Sequence, residues 1–305
     1  MNLSKVLNGK VNVERIRHHI QILEGVRHPQ VTPEALERAE NYIADHLSEL
    51  GYEMSDHFFP DNGGTFRNII ATRTGIDHPN ERVLIVAHFD TVSTSPGADD
   101  NASGVAGMLE AATLLAKLSF GKTVQFVGVN LEENAKENES GTGTRGSSAL
   151  AGHARELGWN IAGVLVLESI AFAGEEAIQT TPPGIPVQVP KTGDFIAVIG
   201  NERSKGLVEG FSRACAQSHI DLPHFPLILP GNGEMLPDTR RSDHAPFWDN
   251  DFPAIMLTDT TNFRNPHYHQ PTDTLETLNL DFAAKVCDAT IHLVAELAGV
   301  KAASK

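Results

Sequence analysis

The sequence predicts an α/β fold in which helices cover both faces of a sheet. Short runs rich in Val, Ile and Phe alternate along the chain with segments of helical periodicity. The strand runs, such as VLIVAH and VQFVGVNL, are apolar throughout instead of alternating between apolar and polar residues. A strand buried by helices on both faces has this composition. We therefore expect a three-layer α/β/α arrangement.

Each predicted element follows from a local pattern. The first 50 residues have helical character, and Thr32 suits an N-cap, Pro33 a first helical position and Gly51 a helix end. Apolar residues three and four apart give that helix one apolar face. Strands are predicted at 66–72, 82–87, 123–131, 162–167, 195–199 and 253–257. Helices are predicted at 102–118, 147–157, 205–218 and 281–298.

The chain is long enough for one large domain, and we predict a single catalytic domain over residues 1–305. Two stretches rich in Pro, 180–193 and 226–242, are predicted to be surface excursions. Loops of this length often lie around a binding site. Neither stretch predicts a domain boundary.

Charge and cysteine content exclude several classes of protein. Lys and Arg total 24 against 39 Asp and Glu, a formal net charge of −15, which disfavours nucleic acid and anionic membranes as partners. Cys215 and Cys287 form no C-x-x-C pair, so we expect two free thiols. The N-terminal segment lacks a signal-peptide apolar region, and no stretch approaches the roughly 20 apolar residues of a membrane span. These observations predict a cytoplasmic protein.

Polar residues that can bind metal come directly after the predicted strands. His88 and Asp90 follow VLIVA, Glu132 and Glu133 follow VQFVGVNL, and Glu168 ends GVLVL. In a doubly wound sheet ligands bind beyond the carboxyl ends of strands. Each residue alone has a commoner explanation, such as a helix cap or a solvated loop residue. Together, several uncompensated carboxylates need a cation, and carboxylates mixed with imidazoles suit Zn²⁺, with Mn²⁺ or Co²⁺ as substitutes.

The order of these motifs resembles peptidase family M28, whose members are co-catalytic zinc peptidases. The resemblance rests on H-x-D, PGADDNASG, E-E, a strand-end acid, RSDHAPF and PHYHQPTDT, and it spans roughly residues 83–275. It implies a mixed, mainly parallel sheet flanked by helices and two zinc ions per chain. It also implies five metal ligands, namely His88, Asp100, Glu133, Glu168 and His269.

The same resemblance implies roles for three further residues. Asp90 would orient the imidazole of His88, and Glu132 would be the general base that takes a proton from the attacking water. His244 is our candidate for the donor to the oxyanion, with a packing role as the alternative.

The implied function is a metal-dependent exopeptidase that hydrolyses peptide or N-acyl amino acid bonds, and we favour an aminopeptidase over a carboxypeptidase. Residues 134–145 are longer than the family's usual segment, so substrate class stays open, as does the role of Arg145, Arg240 and Arg241. Oligomeric state is not indicated by the sequence.

Three alternatives remain. GTGTRG at 141–146 matches the dinucleotide fingerprint, but nine polar residues separate it from the preceding strand. A single-zinc glutaminyl cyclase shares several ligand positions, and a catalytically silent binding protein would keep only the fold. The complete ligand set favours the peptidase.

Overall fold

The computed structural model describes residues 11–135, 141–185 and 187–301. The strands in these residues are β1 (Glu53–Asp61), β2 (Gly64–Arg73), β3 (His78–His88), β4 (Ser119–Phe120), β5 (Lys122–Val129), β6 (Asn160–Glu168), β7 (Ile196–Asn201), β8 (His224–Leu229), β9 (Ala254–Thr258) and β10 (Val300–Lys301). Eight of them form one sheet in the order β1-β2-β5-β3-β6-β9-β7-β8, and a second sheet pairs β4 with β10. The helices are α1 (Val13–Leu23), α2 (Pro33–Glu49), α3 (Gly104–Leu115), α4 (Arg145–Glu156), α5 (Lys205–Cys215), α6 (His244–Asp249) and α7 (Leu280–Ala298).

The large sheet is mixed, with a parallel centre. Strands β5, β3, β6 and β9 run parallel to one another, whereas β1 and β2 add to one side as antiparallel strands. On the other side β7 is antiparallel to β9 and parallel to β8. The predicted mixed, mainly parallel sheet is confirmed.

Two hydrophobic cores lie on opposite faces of this sheet. Val83 and Ile85 of β3 contribute to the core under α1, α2, α3, α5 and α7, whereas Leu84 and Val86 contribute to the core under α4 and α6. Successive side chains of a strand point to opposite faces, so a strand covered on both faces must be apolar at every position. This explains the continuous apolar runs, and the predicted three layers are confirmed.

The structure corrects several predicted elements. The helical N-terminal region contains α1 and α2 with a loop between them, and residues 1–10 lie outside the described residues. Thr32 precedes α2 but makes no side-chain cap, because its hydroxyl accepts the N–H of His28 and donates to the carbonyl of Val26. Gly51 ends the helix with a φ of +80°, as predicted.

Two edge strands were missed. Strand β1 pairs with β2 through a tight turn at Asn62 and Gly63, both with positive φ, a sequence pair that favours such hairpins. Strand β8 extends into a stretch that we predicted to be a surface excursion. That prediction is wrong for residues 226–229, because Leu227 and Leu229 are buried where β8 pairs with β7.

Other boundaries differ by a few residues. Strand β5 ends at Val129, so Glu132 and Glu133 lie in the loop that follows it. Helix α3 begins at Gly104 instead of 102, after an irregular turn over Ala98–Ser103. Residues 136–140 of the long 134–145 segment, and Pro186 in the 180–193 stretch, lie outside the described residues. Both cysteines are buried free thiols. None of the described helices is long and apolar enough to cross a bilayer.

Candidate metal centre

The sheet brings the predicted site residues to one edge. Strands β5, β3 and β6 are parallel neighbours, so their carboxyl ends meet there. His88 is the last residue of β3 and Glu168 the last residue of β6, while Glu132 and Glu133 lie just beyond β5. These side chains are therefore carried by the ends of rigid, buried strands or by the loops next to them.

Two groups of three side chains share one carboxylate. In the first group the His88 Nε2 atom lies 3.2 Å from an Asp100 oxygen and 3.4 Å from a Glu168 oxygen. In the second, His269 Nε2 lies 3.2 Å from the other Asp100 oxygen and 3.3 Å from a Glu133 oxygen. The structure thus brings together all five ligands predicted from the sequence.

The donor atoms in these groups fit a metal better than hydrogen bonds to one another. Although carboxylate oxygens lie close by, His88 Nε2, His269 Nε2 and Glu133 Oε1 are buried without a hydrogen-bond partner. Bonds of about 2.0–2.2 Å to a tetrahedral Zn²⁺ separate its ligand atoms by about 3.3–3.6 Å. The observed spacings lie near the lower end of this range or just below it, and the set of imidazole and carboxylate donors suits Zn²⁺.

The pKa values record the crowding of negative charge. Burial raises the pKa of Glu133 to about 7, with Asp100 adding to the effect. Burial lowers the pKa of His269, but Asp100 and Glu133 outweigh it and raise that pKa to about 10. The same balance raises the pKa of His88 well above its usual value, through Glu168, Asp100 and Asp90. The raised pKa values mean that protons offset the repulsion among these carboxylates. A divalent cation would offset the same repulsion in their place.

Comparison with known proteins identifies the family. The model of peptidase family M28 matches residues 68–294. The chain belongs to peptidase family M28. The protein YfbL of Escherichia coli K12, itself uncharacterized, is 33% identical over 92% of this chain and 87% of its own length. Leucine aminopeptidase 1 of Arthroderma otae is 27% identical over 76% of this chain and 58% of its own length.

Solved structures confirm the fold of this M28 chain. LapB from Legionella pneumophila superposes with a TM-score of 0.76 at 19% identity, covering 98% of this chain and 75% of that chain. A glutaminyl cyclase from Porphyromonas gingivalis superposes with a TM-score of 0.69 at 18% identity, covering 93% and 96%. The LapA aminopeptidase of Legionella pneumophila and this cyclase share the fold, so the fold alone does not determine the chemistry of this M28 member.

Asp90 holds the loop that carries two of the acids. Its two carboxylate oxygens accept the backbone N–H groups of Glu132 at 3.0 Å and Glu133 at 3.1 Å. One of these oxygens also lies 3.5 Å from Nδ1 of His88. Asp90 thus fixes the loop that carries Glu132 and Glu133 and lies beside the His88 ring, whose orientation by Asp90 stays a prediction.

Three supporting residues were not predicted. Asp273 accepts the N–H groups of Asp99 at 2.9 Å and Asp100 at 3.2 Å. These bonds fix the backbone that carries the carboxylate shared by the two groups. Ser242 donates to Glu168 at 2.6 Å. Asp273 lies in the motif PHYHQPTDT and Ser242 in RSDHAPF. The sequence therefore places both residues in family motifs but does not indicate which groups they contact.

Arg27 is the third, and it lies outside the family motifs. Its guanidinium is fully enclosed and donates to the carbonyls of Phe89, Gly25, Pro96 and Gly97, and also to that of Leu23. It is a buried positive charge beside the acidic cluster, and it ties α1 to the segment between β3 and α3. No local pattern in the sequence signals this contact.

His244 is placed differently from the role predicted for it. It is fully buried, its ring packs edge-on against Trp248, and Nε2 lies 2.8 Å from the carbonyl of Thr239. Burial lowers the pKa of His244 to about 4, so the ring is neutral and its one N–H donates to Thr239. This geometry fits the alternative packing role.

A cavity opens beside the two groups of ligands. It holds about 820 Å³ of empty volume, part of it open to solvent, and Asp100, Glu132 and Glu168 form its polar end. The other end is apolar and is lined by Ile185, Val189, Phe195, Ala197, Ile199, Phe225, Leu227 and Met256. The 180–193 stretch thus contributes to the wall of a pocket, as loops of that length often do.

Replacement of the Asp273 carboxylate tests whether a residue outside the proposed ligands affects zinc affinity. In Asp273→Asn one carbonyl oxygen replaces two oxygens that accept amides, so we expect zinc affinity to fall about 10–100-fold. Competition with a chromogenic chelator measures the affinity. Asp281→Asn, an exposed carboxylate in the first turn of α7, is the matched control and should bind zinc like the wild type. Equal affinities in all three proteins would contradict this role.

Proposed function

We propose that this M28 chain is a metal-dependent aminopeptidase that holds two zinc ions. The observation that carries the proposal is the pair of ligand groups that share Asp100 at the polar end of an apolar cavity. His88 and Glu168 would hold one ion, His269 and Glu133 the other, and Asp100 would bridge them. When bound, such a pair supplies a water of lowered pKa and a Lewis acid for the scissile carbonyl.

Glu132 is the group best placed to move the proton. It lines the cavity, belongs to neither ligand group and is held by Asp90 through its backbone N–H. Burial raises its pKa well above the usual value, and Glu168 adds to the shift. With cations at the neighbouring ligand groups, a carboxylate at this position can take a proton from water and return it to the leaving amine.

Replacement of Glu132 separates this role from metal binding. Glu132→Gln keeps the size of the side chain but cannot accept a proton, so kcat should fall about 10²–10⁴-fold with the zinc content unchanged. Hydrolysis of a leucyl chromogenic amide measures kcat. Glu176→Gln, an exposed glutamate, is the control. Chelation should inactivate the wild type, and added zinc should restore its activity. An unaltered rate in Glu132→Gln would show that Glu132 is not the general base.

Tyr268 is the better candidate for the oxyanion donor. Its ring stacks on that of His269, with the ring centres 3.8 Å apart, and it lines the cavity. Burial raises the pKa of Tyr268 well above its usual value, with Asp100 and Glu133 adding to the effect, so the phenol keeps its proton. Arg241 donates to the phenol oxygen at 3.3 Å, which leaves the hydroxyl hydrogen free to donate to substrate.

Removal of that hydroxyl tests the assignment. Tyr268→Phe keeps the stacked ring and should lower kcat roughly 10²-fold, because one donor to the developing negative charge is lost. KM and zinc content should change little. His244→Gln is the informative comparison, since a packing role predicts lower thermal stability with kcat retained. Normal turnover in Tyr268→Phe would show that Tyr268 is not the oxyanion donor.

The charges in the cavity favour binding of a free amine over a carboxylate. Four acids line it, namely Asp100, Glu132, Glu168 and Asp238. Among the described residues that line it, the only cation is Arg241, which lies 3.7 Å from Asp238 and donates to Asn262 at 2.9 Å. A carboxypeptidase needs a cation free to bind the α-carboxylate. Acetylation of the substrate amine should therefore abolish turnover.

The apolar end of the cavity indicates the first side chain of the substrate. Its walls suit a leucine-like or aromatic group, because each buried CH₂ group contributes about 0.8 kcal/mol. The two complete ligand groups also favour hydrolysis over the single-metal cyclase chemistry considered above. A peptide with N-terminal glutamine distinguishes the two, since a cyclase releases ammonia from it and an aminopeptidase releases the amino acid.

Filling the cavity tests this preference. Ala197 lies on β7 and lines the apolar end, so Ala197→Leu should lower kcat/KM for a leucyl amide by about 10–100-fold and affect an alanyl amide far less. Ala216→Leu, at an exposed position after α5, is the matched control. The same loss for both substrates would point to general disruption and against a side-chain pocket here.

A further inference from the structure

A second cluster of metal-binding side chains lies away from the proposed catalytic centre. It consists of Asp288 and His292 on α7 and His219 in the turn between α5 and β8, and one donor atom from each lies within 4.8 Å of the others. None of the three belongs to the catalytic ligand groups or lines the cavity. The peptidase chemistry proposed above therefore makes no use of them.

The three donor atoms are spaced like ligands of one ion. Nε2 of His219 lies 3.1 Å from Nε2 of His292, which lies 3.7 Å from a carboxylate oxygen of Asp288. Ligand atoms around a tetrahedral Zn²⁺ are about 3.3–3.6 Å apart, and the two observed spacings lie just below and just above this range. Asp288 and His292 are four residues apart on one helix, a spacing that places both side chains on the same face.

The identity of the donors selects the class of ion. Two imidazole nitrogens and one carboxylate oxygen suit Zn²⁺ and similar transition metals, whereas Mg²⁺ and Ca²⁺ prefer oxygen ligands. The amide of Gln217 lies 3.4 Å from Nδ1 of His292. It is the amide nitrogen that faces Nδ1, so the amide has to turn over for Gln217 to accept the Nδ1 hydrogen and leave the Nε2 lone pair for a metal.

The surrounding contacts hold the turn against α7. Ile220, next to His219, is 1% exposed, and Lys285 of α7 donates to the carbonyl of Asp221 at 3.0 Å. Leu222 donates from its backbone to the carbonyl of Cys215 at 3.1 Å. Binding of an ion would thus order few additional groups. His219 is exposed, so a fourth coordination position would face water.

We propose that His219, Asp288 and His292 form a zinc site that clamps the turn between α5 and β8 to α7. The site has three protein ligands and one position open to solvent, so it exchanges its ion readily and acts on stability. The competing structural explanation is a hydrogen bond between two imidazoles together with an ion pair within the helix. That arrangement requires no metal.

Zinc binding at equilibrium distinguishes the two explanations. The full chain is dialysed against buffered, micromolar free Zn²⁺, and bound metal is measured by mass spectrometry per mole of protein. His219→Ala should bind one equivalent fewer than the wild type. The matched control is His78→Ala, since His78 is also exposed and lies 3.9 Å from the carboxylate of Glu81. The difference between variants does not depend on how many ions the catalytic centre holds.

Stability and activity provide the second measurement. Zinc added to protein with a loaded catalytic centre should raise the thermal midpoint of the wild type and of His78→Ala, because the ion binds only the folded chain. It should not raise that of His219→Ala or Asp288→Asn, and Mg²⁺ should have no effect on any of them. Peptidase turnover of His219→Ala should match the wild type. Equal zinc stoichiometry and equal zinc-dependent shifts in all four proteins would overturn the site.

Discussion

Repulsion among buried carboxylates governs the sheet edge where β3, β5 and β6 end. Asp100 lies 3.2 Å from both His88 and His269, and the acids around it are excluded from solvent. Like charges at this density persist only where donors, protons or cations offset them. The chain supplies part of that offset through the buried guanidinium of Arg27 and through backbone amides. The two metal ions of the proposed function would supply the remainder, which is why the ligand set and its supports form one unit.

Carboxylates at this edge have two different tasks. Asp100 and Glu133 would present oxygens to the proposed metal ions, whereas Asp90 and Asp273 accept backbone N–H groups and so fix the segments that carry Glu133 and Asp100. A carboxylate that accepts two backbone N–H groups fixes the position of that backbone closely, because both of its oxygens bond in fixed directions. The acidic composition of the chain, −15 overall, therefore reflects positioning groups as well as ligands. Substitutions at supports and at ligands should accordingly have related effects on metal affinity.

Local sequence patterns predict residues at strand ends well, but they fail where a role depends on distant contacts. The apolar runs of β3 and β6 lead straight to His88 and Glu168, so these two were accessible from sequence. The role of His244 depends on burial and on the carbonyl of Thr239, which spacing does not reveal. Tyr268 was visible beside His269 but gained its proposed role from its stacked ring and the donor from Arg241. Strand β1 was missed because only one of its residues is buried, which weakens the hydrophobic pattern.

The two proposed kinds of metal site differ in how the protein holds its ligands, and this difference predicts different behaviour. At the proposed catalytic edge most of the ligands are buried. Asp90 and Asp273 fix the segments that carry Glu133 and Asp100, and Ser242 donates to Glu168, so release of an ion requires several contacts to break. At the second cluster one ligand, His219, sits on an exposed turn, and the loss of an ion frees little else. Exchange should therefore be slow at the first and fast at the second. A zinc-to-protein ratio alone counts ions without locating them, whereas rates of exchange assign each ion to its site.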